Sequence, residues 1–82
     1  MRHLTFKKGE YNTYEAILVV NGDTYLFGIN GGQGYSCGFW GYSVYRNGSL
    51  IHSDGWNYSS KKAWIQASEY DAIDLLNGKN PF

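Results

Sequence analysis

The chain has 82 residues, a length that fits one domain with a small core. Seven basic and seven acidic side chains cancel, which argues against a strong nonspecific attraction to nucleic acid or to an anionic membrane. This charge balance favours a protein partner.

Cysteine content and apolar runs bear on the compartment. Cys37 is the only cysteine, so no disulfide can form within the chain. A small secreted domain usually needs several disulfides, and a single thiol therefore favours the reducing cytoplasm. The longest apolar run spans only residues 16–20, so we expect neither secretion nor a membrane span.

The predicted strands come first in the chain. Residues 4–8 alternate between apolar and polar side chains as a short strand. Asn-Gly pairs, the strongest short-range signal of a two-residue hairpin turn, then join strand 11–20 to strand 23–29 and strand 35–46 to strand 49–53. A looser connection that begins at Asn30 and Gly31 links the two hairpins. The pattern predicts an antiparallel meander of four to five strands.

A single helix is predicted to follow over residues 61–76. Ser59 or Ser60 can cap its N-terminus, Gly78 fits the position after its last turn, and Pro81 lies beyond. The side expected to face the sheet carries Trp64, Ile65, Ser68, Ala72, Leu75 and Leu76. The predicted fold class is α+β, with this C-terminal α-helix packed on one face of the sheet.

Both faces of the predicted sheet are apolar. Two-residue turns determine strand register, which places Ile17 opposite Leu26 in the first hairpin. In the second hairpin we expect Val44 opposite Ile51, Tyr42 opposite Ser53 and Tyr45 opposite Leu50. One helix about 10 Å across can cover only one face of such a sheet.

We assign the helix to an aliphatic face, made of Ile17, Val19, Leu26, Val44 and Ile51. An aromatic face is then left for solvent, a partner or a second copy of the chain: Tyr14, Tyr25, Phe27, Phe39 and Tyr45. A sheet curled into a half-barrel around these rings, with glycines at the bends, is the alternative. A homodimer through the sheet is another way to cover them.

Three sequence patterns could indicate a phosphate-binding loop, a cysteine nucleophile or a zinc site, but each lacks the neighbouring residues or elements that such a site needs. Residues 32–38 follow G-x-G-x-x-x-G, but a strand pattern follows instead of a helix, and no Walker lysine is present. Cys37 has His3 or His52 as a candidate base but no recognisable orienting group. His52 and Asp54 are too few for a zinc site. We therefore predict a non-enzymatic protein that needs no metal and no cofactor.

Glycines and aromatic residues alternate densely between Gly28 and Tyr45. Tyr and Trp dominate interface hot spots, so this composition is typical of a binding surface. We predict that the partner contacts are Tyr35, Phe39, Trp40, Tyr42 and Tyr45, together with Trp56 and Tyr58 before the helix. Secondary charged contacts are predicted at Lys61, Lys62, Asp71 and Asp74, with the two aspartates on the solvent side of the helix.

Residues 37–45 also resemble the glycine-aromatic strand of the RNA-recognition motif and of cold-shock domains. That resemblance implies bases stacked on the rings. The segment departs from the motif because Cys37 replaces the leading Lys or Arg, Trp40 is an extra residue, and the first helix of a recognition motif is missing. Single-stranded nucleic-acid binding is the alternative function, aided by Lys7, Lys8, Lys61 and Lys62 if they cluster.

In size and layout, the chain resembles the small inhibitors that phages and other mobile elements encode, anti-CRISPR proteins among them. The resemblance implies a protein target in the host cytoplasm whose nucleic-acid or assembly surface is occluded. No residue motif carries this resemblance, so it assigns no site residue.

Overall fold

An antiparallel sheet followed by a helix makes up the fold in the computed structural model, which describes residues 3–9, 13–31, 40–57 and 60–82, with the backbone alone for 55–57. The elements are β1 (Lys7–Lys8), β2 (Thr13–Val20), β3 (Asp23–Gly31), β4 (Trp40–Arg46), β5 (Ser49–Asn57) and α1 (Lys61–Leu76). Each strand pairs with the next along the chain, so the sheet is a meander. The predicted fold class and the predicted helix are confirmed.

The two hairpin turns have the predicted geometry. Asn21 and Gly22 have φ angles of 51° and 84°, and Asn47 and Gly48 have φ angles of 50° and 86°. Positive φ at both central residues defines a type I′ turn, whose twist matches that of the flanking strands. The register across the first turn follows, and Ile17 lies opposite Leu26 as predicted.

Several strand bounds differ from the prediction. β1 is only two residues long, because Leu4 leaves the sheet and is buried in the core. β3 continues through Asn30 and Gly31, which pair with Gly41 and Trp40, so the predicted turn does not begin there. β5 extends beyond the predicted end at residue 53. The predicted strand segments at 11–12 and 35–39 lie outside the described residues.

The helix ends are stabilised by local hydrogen bonds. The Ser60 hydroxyl accepts a hydrogen bond from the Ala63 backbone N–H at 3.2 Å, the geometry of an N-cap. After Asn77 the chain passes through Gly78 with a φ of 79°, and the Lys79 N–H donates to the Asp74 carbonyl at 2.8 Å. This left-handed glycine satisfies a carbonyl of the last turn, as predicted.

The helix covers the side of the sheet that carries Tyr25 and Phe27, so its assignment to the face of Ile17, Val19 and Leu26 is wrong. Phe27, Ile29 and Val44 are fully buried beneath α1, whereas Ile17 and Val19 on the opposite face are mostly exposed. The buried core consists of Leu4, Ala16, Tyr25, Phe27, Ile29, Tyr42, Val44, Trp64, Ala72 and Leu75. The helix, and not a half-barrel, covers Tyr25 and Phe27, whereas Tyr45 lies on the opposite face.

The register of the second hairpin differs from the prediction beyond its first pairs. Tyr45 lies opposite Leu50 as expected, but Val44 lies opposite His52, and Tyr42 opposite Asp54. A bulge leaves Ile51 without a cross-strand partner and shifts the pairs of Val44, Ser43 and Tyr42 by one residue, and a second irregularity before Trp40 shifts its pair with Asn57 by one more. The pairing of β4 with β3 places Val44 on the buried face opposite Phe27 and Tyr45 on the exposed face opposite Leu26, so each lies on the face opposite to the predicted one.

The prediction of which helix residues face the sheet is correct apart from one residue. Trp64, Ser68, Ala72 and Leu75 are buried, whereas Leu76 is exposed. Leu76 is the last residue of the helix. In the described part of the chain, no helix has the length and apolar character needed to cross a membrane.

Candidate protein-binding face

The side of the sheet opposite the helix carries a row of large apolar side chains. Cross-strand pairing places Ile17 opposite Leu26, Leu26 opposite Tyr45, and Tyr45 opposite Leu50, so the row crosses four adjacent strands. At a strand spacing of about 4.8 Å, it is about 14 Å long. Val19 extends it on β2. We call the surface formed by Ile17, Val19, Leu26, Tyr45 and Leu50 the open face.

The open face is exposed at its two ends and partly sheltered in its centre. Ile17 is 65 % exposed, Val19 62 % and Leu50 55 %, whereas Leu26 and Tyr45 are half-buried between them. Exposure of several large apolar side chains to water is unfavourable in free energy, and burying them against another surface is favourable. The arrangement fits a surface that becomes buried in a complex.

Short side chains border the apolar row. The next row across the sheet pairs Glu15 with Gly28, Gly28 with Ser43, and Ser43 with Ser53. Gly28 has no side chain and the serines have short ones, so the larger apolar groups stand above this neighbouring row. A partner therefore meets a raised apolar ridge beside a lower polar strip.

Charge on this side of the sheet is balanced. Lys7 of β1 lies directly opposite Glu15 of β2, at the edge of the polar strip. The apolar row itself has no charged member. A phosphate backbone needs a set of basic groups to neutralise it, and within the described residues Lys7 is the one such group on this side of the strands.

Tyr42, a predicted contact residue, lies under the helix. It is 1 % exposed, its ring stacks on Trp64 at a centroid distance of 5.3 Å, and its hydroxyl donates to Asp71 Oδ2 at 2.8 Å. Burial, followed by the nearby Asp71 carboxylate, raises the pKa of Tyr42 well above its usual value. Tyr42 therefore joins the helix to the sheet and does not form an accessible contact.

Asp71 differs from its predicted position on the solvent side of the helix. It is half-buried and accepts the Tyr42 hydrogen bond. Burial raises the pKa of Asp71 above its usual value, although the hydrogen bond from Tyr42 acts in the opposite direction. Asp74 is also half-buried, and its backbone carbonyl takes part in the helix C-cap.

Trp40 and the two predicted lysines lie near the N-terminal end of the helix. The Trp40 carbonyl accepts a hydrogen bond from Trp64 Nε1 at 3.0 Å, and the Trp40 ring lies 6.1 Å from that of Tyr14. Lys61 Nζ lies 4.2 Å from the Tyr14 ring centroid, a cation–π distance. Lys62 is exposed.

The predicted contact residues are thus not brought together on one face. Trp40 and Tyr42 lie on the helix side, while Tyr45 lies on the open face. Tyr35, Phe39 and Tyr58, and the side chain of Trp56, lie outside the described residues.

Sequence reasoning missed Ile17, Val19 and Leu50 as contact candidates. The alternation in the two hairpins correctly grouped Ile17 with Val19, and Tyr45 with Leu50. It carried no signal for which group the helix covers, because both faces are apolar.

Within the described residues, no group of three His, Cys, Asp or Glu side chains is arranged to hold a metal ion. His52 and Asp54 approach to 3.4 Å as an isolated pair. No family model, curated protein or solved structure matches the chain.

Proposed function

We propose that this chain is a non-enzymatic protein-binding domain that docks the open face of its sheet against a partner protein. The observation that supports this proposal is the exposed apolar row from Ile17 to Leu50, which no element of the described chain covers. Interface centres are depleted in charge and enriched in aromatic and large aliphatic groups.

The chemistry of the open face defines the kind of partner that fits it. The partner offers an apolar and nearly neutral surface, because the row carries no charge and the adjacent Lys7 and Glu15 balance each other. Tyr45 is the expected hot spot, since it is the aromatic residue of the row and lies between Leu26 and Leu50.

Inhibition is the form of protein binding that we favour. A domain of 82 residues with one exposed apolar face occludes a surface of a larger host complex without any chemistry of its own. We accordingly propose a cytoplasmic inhibitor of the kind that phages and mobile elements encode, anti-CRISPR-like in this sense. This part of the proposal rests on size and layout.

Single-stranded nucleic-acid binding is a second candidate because basic and aromatic groups meet at the other side of the sheet. Lys8 lies opposite Tyr14, and Lys61 lies over the Tyr14 ring. Base stacking needs open ring faces, however, and Tyr14 and Trp40 are both half-buried, with Lys61 already on Tyr14. Protein binding is therefore the preferred function.

A matched pair of tyrosine variants tests the proposal. The partner is first captured from a lysate of the native host and purified, and its affinity for the wild-type chain is then measured. We expect Tyr45→Ala to weaken binding at least about tenfold, as truncation of an interface hot spot does. Tyr70→Ala, on the exposed side of the helix, should change the affinity less than about twofold.

Two outcomes would contradict protein binding through the open face. One is equal affinity of the Tyr45→Ala variant and the wild-type chain for the captured partner. The other is tight binding to single-stranded oligonucleotides that weakens steeply with salt and is lost in Lys61→Ala, which would favour the second candidate.

A further inference from the structure

One edge of the sheet leaves part of strand β2 without a neighbour. β1 pairs only with Tyr14 and Glu15, so its ladder ends before Ala16. The Gly9 N–H donates to the Thr13 carbonyl at 2.7 Å, which shows that Thr13 turns its backbone groups toward β1. The backbone N–H and C=O groups of successive residues point to alternate sides of a strand. Those of Ile17 and Val19 therefore point to the same outer edge as those of Thr13.

These outward backbone groups have no strand partner among the described residues. The pairing of β1 with β2 stops at Glu15, and no turn or loop hydrogen bond reaches Ile17 or Val19 from the described residues. An unpaired row of N–H and C=O groups is a template for another strand.

The β2 edge lacks the features that usually prevent such pairing. β2 pairs with β3 in eight consecutive pairs without a bulge, and its residues 16–20 contain neither charge nor proline. At the opposite edge, the pairing of β5 is interrupted by register shifts at two places and includes Asp54. Bulges and charges are the known ways of protecting an edge strand, so β2 is the less protected edge.

The N-terminal segment leaves space beside this edge. Leu4 is drawn into the core, and the Glu69 carboxylate on the helix accepts hydrogen bonds from the His3 and Leu4 backbones. A groove of about 520 Å³ remains, lined among others by Thr5, Ala16 and Ile17. The space next to the start of the unpaired stretch is therefore open.

The unpaired stretch has a centre that suits self-pairing. It runs from Ala16 to Val20, so Leu18 is its midpoint and the outward residues Ile17 and Val19 lie symmetrically about it. A two-fold axis at Leu18 places Ile17 opposite Val19 of a second copy, and Val19 opposite Ile17. Each of these two hydrogen-bonded pairs exchanges two backbone bonds.

The length of the strand fits this arrangement as well. In the same register, the residue of the second copy that lies opposite Glu15 is Asn21, where the hairpin turn begins. The incoming strand therefore ends where β1 starts, and the two do not compete for the same backbone groups.

We propose that the chain forms a homodimer in which the β2 strands of two copies pair antiparallel about Leu18. The two sheets then become one continuous sheet, and the two open faces lie side by side on it. A pairing of five residues per chain buries less than a standard interface, so the association is weak. The inference is independent of the proposed function, because the open face keeps its apolar row in either state.

The first test measures mass as a function of concentration. Sedimentation equilibrium of the wild-type chain from about 10 µM to about 1 mM should show the mass rising from 9.3 kDa toward twice that value. The Ile17→Lys, Val19→Lys double variant should remain a monomer, because two ammonium groups then face each other on both sides of the axis.

A charge-reversed variant is the matched control. Ile17→Glu, Val19→Lys changes the same two exposed side chains but places a carboxylate opposite an ammonium group in each pair, so it should restore the dimer. A wild-type chain that stays monomeric throughout would overturn the proposal. So would a dimer in the double-lysine variant, or a monomer in the charge-reversed one.

Amide hydrogen exchange provides a test that needs no substitution. The Ile17 and Val19 N–H groups should exchange several-fold more slowly at high than at low protein concentration, because only the dimer pairs them. Exchange at these two groups that does not depend on concentration would overturn the edge pairing. Tyr45→Ala should dimerise like the wild type, so that loss of partner binding and loss of the dimer are told apart.

Discussion

The two faces of the sheet are similar in composition and opposite in environment. On the covered face, Phe27, Ile29 and Val44 are completely buried, whereas on the open face Ile17, Val19 and Leu50 are each more than half exposed. Both sets are strongly apolar. Apolar character alone therefore does not decide which side of a small sheet a single helix covers.

Specific polar contacts distinguish the covered face. The Tyr42 hydroxyl donates to Asp71, and Trp64 Nε1 donates to the Trp40 carbonyl, so both bonds join α1 to β4. Buried polar groups need partners, and these two bonds are made only when the helix lies on this side. The open face offers the helix no comparable set of partners among the described residues, and it keeps its apolar surface free.

The largest expected effect is the loss of a covered ring. Phe27→Ala should lower the free energy of unfolding by about 3–5 kcal/mol, because it leaves a cavity at a fully buried position. Ile17→Ala on the open face should lower it by less than about 1 kcal/mol. Chemical denaturation of both variants measures the difference. Similar losses in the two variants would mean that the faces are not distinguished as described.

A medium effect is expected for the buried hydroxyl. Tyr42→Phe should cost about 1–2 kcal/mol, because it removes a hydrogen bond to a charged acceptor and leaves Asp71 half-buried without that donor. Tyr45→Phe, the matched change on the open face, should stay within about 0.5 kcal/mol of the wild type. Thermal unfolding of the two variants makes the comparison, and equal costs would remove the role given to the Tyr42–Asp71 bond.

The smallest effect concerns acid stability at the N-terminal attachment to the helix. Burial acts to raise the pKa of Glu69, but hydrogen bonds from the His3 backbone, the His3 ring and the Leu4 backbone outweigh it and leave the pKa below its ordinary value of 4.5. A lowered folded-state pKa contributes stability above pH 4.5, and this contribution is lost as the pH falls through the folded value.

Glu69→Gln tests this contribution. It should remove up to about 1 kcal/mol near neutral pH and flatten the loss of stability on acidification. Asp71→Asn should steepen that loss, because the raised pKa of Asp71 gives a contribution that is present at low pH and disappears as the pH rises through the folded value. Denaturation curves between about pH 3 and pH 7 measure both slopes. Identical slopes in the two variants would contradict the assignment.

The site was only partly predictable from the sequence. Tyr45 was chosen for its aromatic ring and does lie on the open face, but Tyr42, chosen on the same grounds, lies under the helix. Ile17 and Val19, predicted to lie under the helix, are exposed on the open face. An aromatic residue in the sequence does not reveal whether its ring packs in the core or contacts a partner.

The amino-acid sequence by itself determined the local features of this protein. Asn-Gly at residues 21–22 and 47–48 specifies the two hairpins, and Ser60 and Gly78 delimit the helix, because each acts through backbone geometry within a few residues. Only the tertiary structure decided which face is covered, since that choice depends on contacts between distant residues. The departure of Leu4 from the sheet was decided in the same way, by its packing in the core.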